Sequence, residues 1–139
     1  MIKTINVLVV EDNEYFNNLL SKILQQSNHS TGFKGKCRVM LYSFTDSLEC
    51  IRKIKSGDLM KHDTIAFVDY YMGKGVNGAH IIKLLKEQNT GTMAVLLSQS
   101  KGVEVKSSLA QPDYIVMKDN LAPALCRLYL EQFIENKFL

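Results

Sequence analysis

The sequence predicts an α/β domain in which five parallel strands form a sheet that helices cover on both faces. Short apolar runs alternate along the chain with amphipathic helical patterns, and these runs are continuous rather than apolar at every second position. Continuous apolar runs are typical of strands buried on both faces. With 139 residues, 46% of them hydrophobic and 22% charged, residues 1–139 have the length and composition of one globular domain.

Charge, cysteine content and the amino-terminal segment restrict the class of protein. A net charge of +3 is too weak to indicate nucleic-acid binding. Three widely spaced cysteines, without a CxxC pair, predict reduced thiols: Cys37, Cys50 and Cys126. The apolar residues 5–10 are too few to span a bilayer, and no signal-peptide cleavage site follows them. We expect a cytoplasmic protein without a nucleic-acid or membrane partner.

The first predicted unit is a strand followed by an amphipathic helix. Residues 7–10 are a continuous run of valine and leucine. Five apolar side chains then recur on one helical face, at Phe16, Leu19, Leu20, Ile23 and Leu24. Asp12 or Asn13 can cap this helix, since either side chain can accept from the free amides of the first turn.

The second unit is less apolar than the first. Residues 27–36 contain two glycines and predict a loop, and residues 38–44 predict a strand near an edge of the sheet. Thr45 or Asp46 can cap a second helix that fades near Gly57. Its apolar residues are Leu48, Ile51 and Ile54.

Three further strands complete the pattern. Residues 64–68 lead into Asp69, and a glycine-rich loop then precedes a helix containing Ile81, Ile82, Leu84 and Leu85. Residues 93–97 lead into Ser98, and residues 114–117 lead into Lys118. Between these strands, residues 101–111 predict only a weak helix, which Pro112 ends. A long helix over residues 121–136 carries one apolar stripe, formed by Leu121, Leu125, Leu128 and Tyr129.

Polar side chains stand directly after four of the five apolar strands, at Glu11, Asp12, Asp69, Ser98 and Lys118. In an open parallel sheet these points all lie at the carboxyl edge, where such folds bind ligands. Carboxylates a few ångströms apart repel by several kcal/mol at an effective dielectric constant of about 20, so a positive group must hold them. We expect Mg²⁺, because it accepts one or two carboxylates, keeps water ligands and completes its shell with phosphate oxygens.

Five short segments together resemble the receiver domain of two-component response regulators over nearly the whole chain. They read LVVEDN at residues 8–13, FVDYYM at 67–72, NG at 77–78, LLS at 96–98 and YIVMKD at 114–119. Each segment is a weak motif alone, whereas all five in this order make a specific combination. The resemblance implies one receiver domain with a doubly wound fold and the flavodoxin-like strand order 2-1-3-4-5.

The resemblance also implies how the chain would work. Asp69 would be the phosphoacceptor, attacking a phosphohistidine on a histidine kinase or a histidine phosphotransfer protein. Lys118 would pair with one phosphoryl oxygen, and Ser98 would turn inward to bind another, which is the movement of the family's switch. The resemblance assigns Mg²⁺ to Glu11, Asp12, Asp69 and the backbone carbonyl of Tyr71, with Glu11 bound either directly or through a water.

Four residues would modulate this chemistry. Tyr71 and Ser100 lie two positions beyond Asp69 and Ser98 and flank the approach of a hydrolytic water; we hypothesise that the bulk of Tyr71 slows hydrolysis. Ile115 stands where the family's switch aromatic normally lies, with Tyr114 one position earlier. Successive strand side chains point to opposite faces, so the sequence leaves open which of the two takes the switch position. The loop after Asp69 is also one residue longer than the family pattern and lacks its proline.

Other functions fit these residues less well. A phosphoaspartyl hydrolase or mutase needs a second aspartate two residues after the nucleophile, where this chain has Tyr71. The acidic pair could simply favour the positive end of the first helix, and the chain could be a receiver-like docking module that is never phosphorylated. We expect a signalling phosphoacceptor rather than an enzyme, with output through a downstream protein that contacts the fourth helix, fifth strand and last helix. Whether it forms a homodimer is left open.

Overall fold

A computed structural model describes residues 2–29, 37–72, 76–99 and 111–138. Its strands are β1 (Lys3–Val10), β2 (Cys37–Phe44), β3 (Asp63–Asp69), β4 (Met93–Ser98) and β5 (Tyr114–Met117). The α-helices of the described ranges are α1 (Glu14–Gln25), α2 (Ser47–Lys55), α3 (Gly78–Gln88) and α4 (Ala122–Phe138). Single 3₁₀ turns extend over Gln26–His29 and Asp58–Lys61. The helix predicted for residues 101–111 lies outside the described residues, except for Gln111.

The five strands form one sheet in the order β2-β1-β3-β4-β5, and each neighbouring pair is parallel. The predicted doubly wound fold with the order 2-1-3-4-5 is therefore confirmed. β1 and β3 lie at the centre of the sheet, where Val10 pairs with Val68. The acidic residues at the carboxyl ends of these two strands consequently start from neighbouring positions.

Helices cover both faces of the sheet, which explains why its central strands are continuously apolar. On one face, α1 and α4 pack against a core that includes Val7, Val9 and Phe67. On the other face, α2 and α3 pack against Leu8 and Val68. All three cysteines are buried free thiols within these two cores.

The helix starts agree with the predicted caps and choose between the alternatives. Asn13, rather than Asp12, caps α1, because its Oδ1 accepts from the backbone N–H of Phe16 at 2.9 Å. Asp46, rather than Thr45, caps α2 by accepting from the N–H of Leu48 at 2.9 Å. Each cap satisfies an amide that the helix itself leaves unpaired.

The last helix buries a different face from its leucine stripe. Leu121, Leu125 and Leu128 are 72%, 38% and 57% exposed, whereas α4 packs on the sheet through Ala122, Cys126, Leu130, Phe133 and Ile134. Tyr129 alone of the stripe contacts this core, and it is half-buried. Apolar residues occur around most of α4, so its periodicity does not select a face.

Among the described residues, no helix combines the length and the apolar character needed to cross a membrane.

Candidate metal and phosphoryl site

The sheet brings three carboxylates together at the carboxyl ends of its two central strands. Glu11 and Asp12 follow β1, and Asp69 is the last residue of β3. One oxygen of each carboxylate lies within 4.8 Å of the others. Glu11 and Asp69 are buried and Asp12 is exposed, so the cluster opens to solvent on the Asp12 side.

Lys118 supplies the positive charge in this cluster. Its Nζ lies 2.5 Å from Glu11 Oε1 and 3.6 Å from Asp69 Oδ2, and the lysine side chain is only 9% exposed. The ammonium also lies 5.0 Å from the centre of the Phe16 ring, a cation–π distance. The backbone N–H of Lys118 donates to the Ser98 carbonyl at 2.8 Å, which anchors the residue at the end of β4.

The two oxygens of Glu11 have different surroundings. Oε2 accepts from the backbone N–H of Asn13 at 3.1 Å. Oε1 is buried and close to Lys118 but makes no hydrogen bond of good geometry. A buried carboxylate oxygen beside two further carboxylates suits a hard divalent cation, which prefers oxygen ligands.

The pKa of Asp69 is raised to about 8, mainly by burial. The Glu11 carboxyl also raises this pKa through its hydrogen bond and its charge, whereas the charge of Lys118 lowers it. Without a bound cation, these surroundings therefore favour the protonated form of Asp69 more than water does. Binding of a divalent cation at this cluster would compete with that proton.

The chain after Asp69 turns back onto the end of β3. Tyr70 donates its N–H to Leu97 O at 2.9 Å, and Gly78 donates to Tyr70 O at 2.8 Å. Tyr71 pairs with Asn77 as an isolated antiparallel bridge, which closes the loop between them. The Tyr71 ring is half exposed and meets the Tyr70 ring edge to face, with 4.9 Å between ring centres. The ligand role of the Tyr71 carbonyl stays a prediction.

Gly78 allows the start of α3 to approach Asp69 closely. A Cβ at this position would overlap the Asp69 carbonyl and contact Val68 Cγ1 at 2.9 Å. The sequence contained Asn77-Gly78 as part of a motif, but only the packing explains why a side chain is excluded there.

The remaining predicted residues lie at the ends of β4 and β5. Ser98 is fully buried as the last residue of β4. Tyr114 stacks on Tyr129 of α4, with ring centres 4.2 Å apart, and this contact places Tyr114 on the α1–α4 face of the sheet. Ile115, the next residue of the same strand, therefore points to the opposite face. Ser100 lies outside the described residues.

Sequence reasoning missed Asn17, a fully buried polar residue of α1 whose side chain contacts the backbone of Glu11. A signal was present, because Asn17 precedes Leu20 and Leu24 at the spacing of one helical face. A polar residue on an apolar face needs partners for its hydrogen bonds.

Many solved structures similar to this chain are receiver domains of response regulators. The BeF3-activated receiver domain of DrrB superposes with a TM-score of 0.70 at 20% identity, covering 97% of this chain and 99% of that one. A receiver protein from Sinorhizobium medicae gives 0.75 at 16% identity, covering 95% of both chains. The response regulator TrrA from Thermotoga maritima, solved in complex with Mg²⁺-BeF, gives 0.66 at 19% identity, covering 90% of this chain and 96% of that one.

These likenesses show that the chain has the receiver fold. Comparison with protein-family models and with curated protein sequences gives no match.

Proposed function

We propose that this protein is a phosphoacceptor receiver of a two-component phosphorelay, in which Asp69 accepts a phosphoryl group from a phosphohistidine with Mg²⁺ bound. The observation that carries the proposal is the cluster of Glu11, Asp12, Asp69 and Lys118 at the carboxyl edge of a receiver fold. The structure of TrrA with Mg²⁺-BeF supports a magnesium site in this fold. The proposed function is signalling, so catalysis is confined to the chain's own phosphorylation and dephosphorylation.

The chemistry would be nucleophilic attack by the Asp69 carboxylate. A new bond forms between an Asp69 oxygen and phosphorus, the bond from phosphorus to the donor imidazole breaks, and the imidazole nitrogen keeps that electron pair and takes up a proton. Mg²⁺, held by Glu11, Asp12, Asp69 and the Tyr71 carbonyl, would supply charge neutralisation for the phosphoryl oxygens.

Lys118 and Ser98 would receive the transferred group. The Lys118 ammonium already lies 3.6 Å from Asp69 Oδ2, so a small shift away from Glu11 would pair it with a phosphoryl oxygen. Ser98 ends the neighbouring strand and would donate its hydroxyl to another oxygen.

Partner selection would rest on two surfaces. The phosphoryl donor would be a histidine kinase or a histidine phosphotransfer protein that docks at the open side of the acidic cluster. The proposed location of the protein is the cytoplasm. Output would use the exposed apolar side chains of β5 and α4, which suit a downstream protein or a second copy of the chain better than nucleic acid. These side chains belong to Tyr114, Ile115, Met117, Leu125 and Leu128, and Leu121 directly before α4 adds to them. The helix predicted for residues 101–111, which is the fourth helix of this predicted face, lies outside the described residues except for Gln111.

Mass spectrometry of the intact protein tests the proposal. Incubation with Mg²⁺ and acetyl phosphate should add one phosphoryl group, and Asp69→Asn should abolish the adduct. Asp63→Asn is the matched control, because Asp63 begins the strand that Asp69 ends and pairs only loosely with Lys137, at 3.8 Å. An unmodified wild-type protein, or an adduct that persists in Asp69→Asn, would contradict the proposal and favour the docking-module alternative.

Tyr71 would lengthen the lifetime of the phosphoryl group. Tyr71 lies two residues beyond Asp69 and its ring is half exposed, so its bulk would hinder an attacking water. Loss of phosphate from isolated phosphoprotein should be faster in Tyr71→Ala than in wild type. An unchanged or slower rate would exclude this role.

A further inference from the structure

Asn17 uses its whole side-chain amide to join α1 to the ends of two strands. The side chain is 1% exposed. Its Nδ2 donates to the carbonyl oxygens of Glu11 and Phe44, at 3.0 Å each. Its Oδ1 accepts from the hydroxyl of Ser21 at 3.1 Å and from the hydroxyl of Ser43. Two donated and two accepted bonds exhaust the capacity of an asparagine side chain.

The chemistry of its partners leaves this amide only one orientation. Backbone carbonyls only accept hydrogen bonds, so the nitrogen must face Glu11 and Phe44. The Ser21 and Ser43 hydroxyls can both donate to the oxygen on the opposite side. Rotating the amide by half a turn would set its oxygen against two carbonyl oxygens.

Asn17 thereby holds the peptide groups that lead into the acidic pair. The N–H of Glu11 donates to Phe44 O at 3.0 Å, and the C=O of Glu11 accepts from Asn17. Both backbone polar groups of Glu11 are thus engaged where β1 ends. Asp12 follows directly, and the N–H of Asn13 closes back onto Glu11 Oε2 at 3.1 Å.

We propose that Asn17 is a positioning residue that sets the direction of the Glu11 and Asp12 carboxylates and so prepares the cation site. The inference rests on the proposed function for the identity of the cation. Residues behind the direct ligands of a metal change its affinity by about 10- to 100-fold when mutated. We expect a loss of that size in Asn17→Ala.

A merely structural role would destabilise the fold without acting selectively on the cation site. Asn6 offers the matched control, because it is also a buried asparagine, 2% exposed, and its Nδ2 donates to Leu59 O at 3.3 Å. Asn6 lies on β1 toward its amino-terminal end, away from the acidic cluster. Asn6→Ala should therefore lower stability while leaving Mg²⁺ affinity unchanged.

Calorimetric titration of the full chain with Mg²⁺, without a phosphodonor, measures this difference. The dissociation constant should rise by about 10- to 100-fold in Asn17→Ala and stay unchanged in Asn6→Ala. Ser43→Ala is a second variant for the case in which Asn17→Ala does not fold, because Ser43 is exposed and its replacement should leave the fold intact. It removes one hydrogen bond to the Asn17 amide and should weaken Mg²⁺ binding about fivefold. Wild-type affinity in both Asn17→Ala and Ser43→Ala, or an equal loss in Asn6→Ala, would overturn the inference.

Amide hydrogen exchange separates failure of this inference from failure of the proposed function. If the wild-type protein binds no Mg²⁺, the cation site of the proposed function is wrong. The positioning role is then decided by the Glu11 amide, which should exchange faster in Asn17→Ala or Ser43→Ala and at the wild-type rate in Asn6→Ala. An unchanged Glu11 amide in the Asn17 and Ser43 variants would overturn the inference.

Discussion

The ammonium of Lys118 lies closer to Glu11 than to Asp69, at 2.5 Å from Glu11 Oε1 and 3.6 Å from Asp69 Oδ2. Glu11 is fully buried, and Lys118 is its ion-pair partner. A buried charge left without its partner is strongly destabilising. Without a bound cation, Lys118 is thus the counter-ion of the acidic cluster as well as a candidate ligand for the phosphoryl group.

Lys118→Met should lower the stability of the metal-free protein by about 3–5 kcal/mol, because it removes one partner of a buried ion pair. Lys86→Met is the control: Lys86 pairs with Asp113 at 2.9 Å on the surface, where such pairs contribute about 0–1 kcal/mol. Urea denaturation without divalent cations measures both changes, and added Mg²⁺ should restore part of the loss in Lys118→Met. Equal losses in the two variants would show that Lys118 does not hold the cluster.

The pH dependence of stability should report the proton on Asp69. Its pKa is about 8 in the native state against 3.8 as the ordinary value, so between these values the native state keeps a proton that the unfolded state releases. The unfolding free energy of the metal-free protein should therefore fall as pH rises through this range and become level above it. Urea denaturation at several pH values measures this dependence. The unfolding free energy should vary less with pH in Asp69→Asn than in Asp63→Asn. Parallel curves for these two variants would disprove the assignment.

Gly78→Ala should destabilise the protein by about 1–3 kcal/mol, because the new Cβ would overlap the Asp69 carbonyl and force α3 away from β3. The displaced backbone of Asp69 should also slow phosphorylation by acetyl phosphate. Gly91→Ala is the control, since a Cβ there meets only the side-chain oxygen of Asn89, at 3.3 Å. Urea denaturation should show a change within about 0.5 kcal/mol for Gly91→Ala. A Gly78→Ala protein as stable as that control would mean that α3 does not approach β3 closely enough to exclude a Cβ.

Truncation should lower stability at one leucine of α4 and leave it nearly unchanged at another. Leu130 is fully buried, and Leu130→Ala should cost about 2–5 kcal/mol. Leu128 is 57% exposed, and Leu128→Ala should change stability by no more than about 0.5 kcal/mol. Thermal or urea denaturation distinguishes these values, and the reverse order would mean that α4 packs through its leucine stripe.

The fold could be predicted because its signals are local. The run over residues 64–68 shows a strand buried on both faces, and a carboxylate follows it at Asp69. Once all strands are parallel, every strand end falls at one edge, so the meeting of Glu11 and Asp69 follows from topology. The face of α4 could not be predicted in this way, because a helix that is apolar on several sides packs on whichever side the sheet meets.

Local patterns in this chain therefore specified the elements, the parallel direction of the strands and the edge at which the polar residues gather, whereas the strand order came from the resemblance to receiver domains. Tertiary packing alone decided which partner each polar group takes: Lys118 closer to Glu11 than to Asp69, and Asn17 against the carbonyls of Glu11 and Phe44. Periodicity describes how neighbouring residues share a face, whereas these contacts join residues distant in the chain. Their distances depend on how helices and strands pack, and no local pattern carries that information.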